Sequence, residues 1–131
     1  MATLNADRFE LENVETLPAS DDRRLSFTVQ DGDGEAVDLS EATVEWYLMD
    51  RAWDVDADDA LLTGESDGVS IATDTVVDPE AGEFRVDIDG EATADLAGEY
   101  WQFPRVVQDG PPTQPGPTTS TWRGAVLVEA I

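Results

Sequence analysis

Apolar and polar residues alternate with a period of two along most of this chain. Leu25, Phe27 and Val29 alternate with polar residues, and the same pattern recurs in residues 44–48 and 84–88. Such alternation places one face of a β-strand in a core and the other face in solvent. Because no segment has the 3.6-residue apolar spacing of a long helix, the pattern predicts a protein built from strands.

Shorter or less regular apolar runs predict the remaining strands. They lie at residues 60–63, 69–72, 75–77, 100–107 and 122–128. Within 100–107 we expect a bend or bulge at Pro104, because proline has no N–H to donate to a strand ladder. Turn sequences rich in Gly, Asp and Pro separate the runs. The chain therefore predicts an all-β, antiparallel sandwich of seven to eight strands, spaced as in an immunoglobulin-like domain.

Residues 1–21 differ from the rest of the chain. Their apolar side chains are scattered among acidic ones, without a clear period. We expect this segment to form an edge strand, or an extended N-terminal arm that docks on a neighbouring subunit. Residues 22–131 then form the sandwich itself.

The composition excludes several classes of function, whereas it adds little to the predicted fold. The chain has 131 residues, with 30 acidic residues against 7 basic ones, and it lacks His and Cys. All the basic residues are Arg, so neither imidazole, thiolate nor lysine is present to activate a serine, and we expect no enzyme. A net charge of −23 repels phosphate backbones, which argues against nucleic-acid binding. No run of about 18 apolar residues is present, so we expect no membrane span.

The same charge indicates an environment. At ordinary salt so many carboxylates destabilise a compact state by mutual repulsion. At about 1 M salt the Debye length falls to about 3 Å and the repulsion is screened. An acidic surface with Arg and no Lys therefore predicts a halophilic protein.

One acidic segment is a candidate calcium site. The first, third, fifth and twelfth positions of an EF-hand loop are matched by Asp54, Asp56, Asp58 and Glu65. The sixth position is Asp59, where that loop needs Gly for its sharp turn. A looser calcium site in this segment or in residues 31–35 is one alternative, and a solvated acidic loop is the other. We expect no cofactor, with calcium as the single candidate.

Aromatic and proline residues are candidates for a partner interface. Tyr47 and Trp101 have the parity opposite to the expected core, and Trp53 lies outside a clear strand. A second apolar face would form a partner surface, whereas peripheral packing is the alternative. The Pro-rich segment 109–119 is either a stiff docking loop or a plain hairpin connection. The candidate interface residues are Tyr47, Trp53, Trp101, Pro111, Pro112, Pro115 and Ile131.

Three short motifs carry a resemblance to a known family. After a strand, the chain reads Asp31-Gly-Asp-Gly34 and then Asp38-Leu-Ser-Glu-Ala-Thr-Val44. This resembles the opening of small immunoglobulin-like domains in tailed-virus virion proteins, such as the N-terminal domains of upper baseplate proteins. The family has Thr and Gly where this chain has Ser40 and Glu41. Ala94-Asp-Leu-Ala-Gly-Glu-Tyr100 resembles the family's entry to its long strand, and the resemblance covers roughly residues 22–129.

The resemblance implies a structural role. Members of this group are parts of virus particles and have no catalytic residues to carry over. It implies a capsid decoration or turret, a neck component, or a tail or baseplate component. We then expect the protein to be located in the virion, to bind other virion proteins, and to form a homo-oligomer within a symmetric assembly. The predicted salt adaptation would then point to a virus of halophilic archaea. The alternative is a surface recognition module that binds glycan or calcium.

Overall fold

The chain folds into an all-β sandwich, as the alternation predicts. The computed structural model describes residues 2–5, 8–11, 14–40, 42–51, 58–64, 68–73, 77–109 and 117–129. Across those ranges no helix has the length and apolar character that a membrane crossing requires. The helical structure there comprises a 3₁₀ turn, Pro79–Ala81, and a single α-helical turn, α1 (Gly90–Thr93).

The described residues form ten strands. In chain order they are β1 (Ala2–Asn5), β2 (Glu15–Pro18), β3 (Arg23–Gln30), β4 (Thr43–Met49), β5 (Leu62–Thr63), β6 (Val69–Ala72), β7 (Glu83–Ile88), β8 (Gly98–Asp109), β9 (Pro117–Thr121) and β10 (Gly124–Glu129). The strand expected at 69–72 is confirmed, and the one expected at 60–63 is shorter. The strand expected at 75–77 falls largely outside the described residues.

The strands form two sheets. One sheet has the order β1-β3-β7-β6, and the other has the order β2-β10-β8-β4-β5, with β9 also paired to β8. Two pairs are parallel, β1 with β3 and β2 with β10, while the other pairs are antiparallel. The predicted all-β sandwich is confirmed, but it has ten described strands where seven to eight were expected, and two of its strand pairs are parallel where antiparallel pairing was expected. Three strands were not among the predicted runs: β1 and β2 of the N-terminal segment, which pair in parallel with β3 and β10, and β9, which pairs with β8.

The N-terminal segment closes one edge of each sheet. In β1, Leu4 pairs with Val29 and is fully buried. The chain then reverses at a bridge between Asn5 and Arg8, and β2 continues along β10. The indole Nε1 of Trp122 donates to the carbonyl of Asn5 at 2.9 Å, which ties β1 to the opposite sheet. The segment is therefore seated on the sandwich of its own chain.

The core lies between the two sheets and contains the predicted alternating residues together with Leu4 and Leu17 of the N-terminal segment. Phe27 and Phe84 stack with ring centroids 4.9 Å apart, and both are at least 98% buried. Trp46 and Trp122 contribute the two largest fully buried side chains. Burial of an apolar side chain contributes about 1.5–3 kcal/mol, so this layer supplies most of the folding free energy.

Pro104 lies in the middle of β8 without the predicted bulge. Pairing with β4 runs in unbroken register, with Trp46 opposite Pro104. On the other side of β8, the N–H of Trp122 donates to the carbonyl of Pro104 at 2.9 Å. In an antiparallel sheet the N–H and the C=O of one residue point to the same neighbour. The hydrogen bond that Pro104 cannot donate would therefore also lie on the Trp122 side, and pairing with β4 does not need it. On that side of β8 the proline lies between the residues that pair with β10 and those that pair with β9, and the register with β4 is not shifted.

The connection from β3 to β4 is built from two aspartate-capped turns. Asp31 Oδ1 accepts hydrogen bonds from the N–H groups of Asp33 and Glu35, a common use of aspartate in turns. Further on, the Ser40 hydroxyl and then the Ser40 N–H donate to the Asp38 carboxylate, and together they hold its pKa below the ordinary value of 3.8. Both turns lie in the connection that precedes β4.

The docking of β1 can be tested by truncating its buried side chain. We expect Leu4→Ala to lower the free energy of unfolding by about 2–5 kcal/mol, because it leaves a cavity at a fully buried position. Thr3→Ala, on the exposed side of the same strand, is the matched control and should cost less than about 1 kcal/mol. Denaturant unfolding in molar KCl measures both. Equal losses for the two variants would contradict the docking of β1.

Candidate functional site

A second hydrophobic cluster lies on the outer face of the sheet that contains β4 and β8. Tyr47, Met49 and Phe103 are buried there, and Ala60 and Trp101 pack against them. We call these five residues the outer cluster. They point away from the core, because Trp46 and Leu48 of the same strand point inward. The sandwich therefore has an apolar layer beyond its core.

Two neighbouring strands build the outer cluster through their register. Tyr47 pairs with Phe103, and Met49 pairs with Trp101. Residues 46–49 form an uninterrupted apolar run, and all four are buried. A strand buried on both faces reads as a continuous apolar run rather than an alternating one. The lost alternation at the end of β4 therefore reflects two covered faces.

Two arginines lie over the rings of this face. The guanidinium of Arg105 is 5.2 Å from the ring centroid of Tyr47, and that of Arg123 is 5.5 Å from the centroid of Trp101. Both distances are within the range of cation–π attraction, and guanidinium groups stack on aromatic rings more readily than ammonium groups do. The arginines cover the rings while keeping their charge accessible.

Each arginine beside the outer cluster is matched with one carboxylate. Arg105 lies 4.0 Å from Glu45, which also accepts a 2.7 Å hydrogen bond from the Tyr47 hydroxyl. Arg123 pairs with Glu10. Arg51 pairs with Asp59 at 2.9 Å, next to Ala60 of the cluster. Among the described residues, these three arginines beside the outer cluster each have a carboxylate within ion-pair distance.

The outer face of the other sheet has a different character. Its outward side chains are polar, and they include Arg24, Ser26, Thr28, Ser70, Glu83, Arg85 and Asp87. Arg24 and Arg85 both pair with Asp87, at 3.1 and 2.9 Å. This is the solvated face that alternation predicts for a sandwich. The two outer faces therefore differ, and the aromatic one is the candidate site.

A shallow groove of about 640 Å³ lies at one end of the polar face. Arg23 and Arg24 line it together with Asp22, Asp87 and Asp89. Arg24 pairs with Asp87, and Arg23 lies 3.6 Å from Glu15. The Asp22 carboxylate accepts the N–H of Gly90 and so caps α1. Because its charges of both signs are already engaged in the fold, the groove offers little to a ligand.

The structure brings together two of the residues proposed as an interface. Tyr47 and Trp101 belong to the outer cluster, whereas Trp53, Pro111, Pro112, Pro115 and Ile131 lie outside the described residues. Of the calcium candidates, Asp54, Asp56 and Glu65 also lie outside, and Asp58 occupies an exposed turn. Among the residues that can be described, no three acidic side chains are grouped to hold a metal ion.

Sequence reasoning missed several members of this face. Met49 and Phe103 are buried in the outer cluster, and Arg105 and Arg123 cover its rings. The available signal was the run 46–49, whose four apolar residues leave no polar face. Phe103 also shares the parity of Trp101, which already indicated an apolar outer row on β8.

Comparison with known proteins gives no family for this chain, so its function has to be inferred from the geometry of the outer cluster. A scan against protein-family models finds no match, and a search of curated proteins finds none either. The outer cluster combines aromatic area with arginine, the side chains that are enriched in protein interfaces and in their energetic centres.

The stacking of Arg105 on Tyr47 can be measured by a double-mutant cycle. Arg105→Met, Tyr47→Leu and the double variant should give a coupling energy of about 0.5–1 kcal/mol in unfolding experiments. The same cycle with Arg85, on the opposite outer face, is the control and should give no coupling. A vanishing coupling for the first pair would contradict the contact.

Proposed function

We propose that this protein is a non-enzymatic structural component of a tailed virus particle, working through protein–protein contacts in high salt. The proposed positions are a capsid decoration or turret, the neck, or the tail or baseplate. In each of them a small, rigid sandwich is held between neighbouring proteins of a symmetric assembly.

The observation that carries the proposal is the outer cluster. A protein that acts by contact needs an apolar surface outside its core, bordered by polar groups. Trp101 is only partly buried at the margin of the cluster, beside the half-exposed Arg123. Nearby, Leu61 is 42% exposed. These side chains gain burial when a partner covers the face, which supports a contact role.

Strand order supports the immunoglobulin-like part of the proposal. With the strands lettered along the chain, one sheet has the order A-B-E-D (β1-β3-β7-β6) and the other G-F-C-C′ (β10-β8-β4-β5). This is the order of immunoglobulin-like sandwiches. The parallel pairing of β1 departs from it.

Three side chains add to that support. Trp46 is fully buried on strand C, as expected of an immunoglobulin-like core. At the start of strand F, the Tyr100 hydroxyl donates to the carbonyl of Ala97 at 3.1 Å, in the manner of a tyrosine corner. Two residues later, Gln102 takes the position of the second cysteine, and its Oε1 accepts a 3.0 Å hydrogen bond from Trp46 Nε1.

The proposed salt adaptation predicts that stability depends on KCl. We expect the free energy of unfolding to fall as KCl is dialysed away, because repulsion among the carboxylates is then unscreened. Circular dichroism and tryptophan fluorescence in a KCl series would measure it. A variant with Asp21→Asn, Asp95→Asn and Glu99→Gln, all exposed positions, should stay folded at lower KCl. Stability that is unchanged at low salt would refute the adaptation.

The virion location can be tested by quantitative mass spectrometry of purified, nuclease-treated particles from the source culture. Copy numbers comparable to the main shell protein would support a decoration or turret, and a few copies per particle would support the neck or tail. Ribosomal proteins of the host, followed through the same purification, control for carry-over. Absence from particles, or depletion in step with the ribosomal proteins, would overturn the proposal.

A further inference from the structure

β2 and β10 run parallel to each other at one edge of their sheet. We propose that this pair makes the sandwich a tension-bearing link, which resists a force applied between the N-terminal segment and the end of β10. The inference goes beyond the proposed function, because it concerns a force that the fold withstands and names no partner. It rests on strand direction, register and packing.

The register of β2 and β10 determines how a pull on the chain loads them. Glu15, at the start of β2, lies opposite Val126. Pro18, at its end, lies opposite Glu129. Tension that enters β2 at Glu15 and leaves β10 at Glu129 therefore pulls the two strands past each other. Because the hydrogen bonds cross from one strand to the other, such a force loads them together instead of one after another.

Hydrogen bonds extend this ladder beyond both ends of β2. Before it, the N–H of Arg123 donates to the carbonyl of Phe9 at 2.9 Å, and the N–H of Leu11 donates to the carbonyl of Arg123 at 2.8 Å. After it, the N–H of Ala19 donates to the carbonyl of Glu129 at 2.8 Å. The N-terminal segment is thus bonded to β10 and to the residue before it at three successive places, which share the load.

Side-chain packing opposes slipping of the ladder. Leu17 of β2 is 1% exposed and belongs to the core together with Val126 and Val128 of β10. Leu11 packs against Gly124 so closely that a Cβ at this glycine would lie 2.6 Å from the Leu11 Cδ1. Protein interiors are close-packed, so sliding β2 along β10 would force these side chains out of fitted positions. Tension must therefore overcome packing and hydrogen bonds at the same time.

β1 yields before this ladder and does not protect it. The chain reverses after Asn5, so Ala2 is the end of β1 that lies nearer to the end of β10. β1 is held by pairing with β3 over four residues and by the buried Leu4. Tension between Ala2 and the end of β10 lifts β1 from β3 beginning at Ala2, and its bonds break one after another. The force then passes to Phe9 and the ladder.

The test changes the direction of the load on the same protein. The chain has no cysteine, so pairs of introduced cysteines give unique attachment points for DNA handles in optical tweezers. Thr3→Cys with Glu129→Cys loads β2 and β10 in opposite directions. Glu99→Cys with Glu129→Cys is the control, because Glu99 pairs with Leu127 near one end of the antiparallel β8–β10 ladder, where pulling separates the strands bond by bond. All three attachment positions are exposed.

The expected result is a difference in unfolding force between the two geometries. At equal pulling speed in molar KCl, we expect the Thr3–Glu129 geometry to unfold at roughly twice the force of the Glu99–Glu129 geometry or more, because its bonds must break together.

Two matched variants test the part that the ladder plays. Leu17→Ala truncates a buried side chain of β2, and Leu25→Ala truncates a buried side chain of β3, away from the ladder. Both should lower the free energy of unfolding. Only Leu17→Ala should clearly lower the unfolding force in the Thr3–Glu129 geometry, because Leu25 stays packed until the ladder has slipped.

Two outcomes would overturn the proposal. One is a force in the Thr3–Glu129 geometry that is equal to or lower than the force in the control geometry. The other is an equal loss of force in Leu17→Ala and Leu25→Ala. If Leu17→Ala does not fold, the comparison of the two geometries still decides. None of these results depends on whether the protein occurs in virus particles, so this inference and the proposed function fail separately.

Discussion

β4 and β8 pair over seven residues, and each strand of this pair buries side chains on both of its faces. Inward, Trp46 donates its indole N–H to Gln102, which satisfies a polar group that would otherwise cost about 1–3 kcal/mol in the core. Outward, the same register joins Tyr47 to Phe103. A slip of one residue would exchange the two faces and leave both layers wrongly filled. The core and the outer cluster therefore depend on one ladder.

The acidic residues of the polar sheet lie on its solvated face and leave the core apolar. The outward side chains of the polar sheet alternate with core residues, so they add charge without interrupting the hydrophobic layer. Arg105 and Arg123 instead lie over aromatic rings of the other sheet, each beside a carboxylate. Exposed ion pairs contribute only about 0–1 kcal/mol each to the free energy of unfolding. Their main effect here is to offset the arginine charge next to the apolar side chains.

The sequence predicted those parts of the fold that depend on local alternation. Leu25, Phe27 and Val29 are buried as expected, because a period of two assigns each side chain to a face within its own strand. The parallel strand β1 was beyond such reasoning, since Leu4 is a lone apolar residue whose place depends on pairing with β3. Similarly, Tyr47 and Trp101 were recognisable by parity. Their meeting depends on the register of β4 against β8, which no local pattern contains.

The hydrogen bond between the Trp122 indole and the Asn5 carbonyl joins residues 117 positions apart in the chain. During synthesis, the first strand leaves the ribosome long before the residue that secures it has been made. Until then β1 can pair with β3, but the core that buries Leu4 is incomplete. Strand edges that are not yet covered are open to pairing with other chains. Completion of the sandwich therefore has to await synthesis of Trp122, and it depends on slow long-range strand pairing. Nascent chains that have not yet reached Trp122 are therefore expected to be more prone to associate through this edge than the folded sandwich.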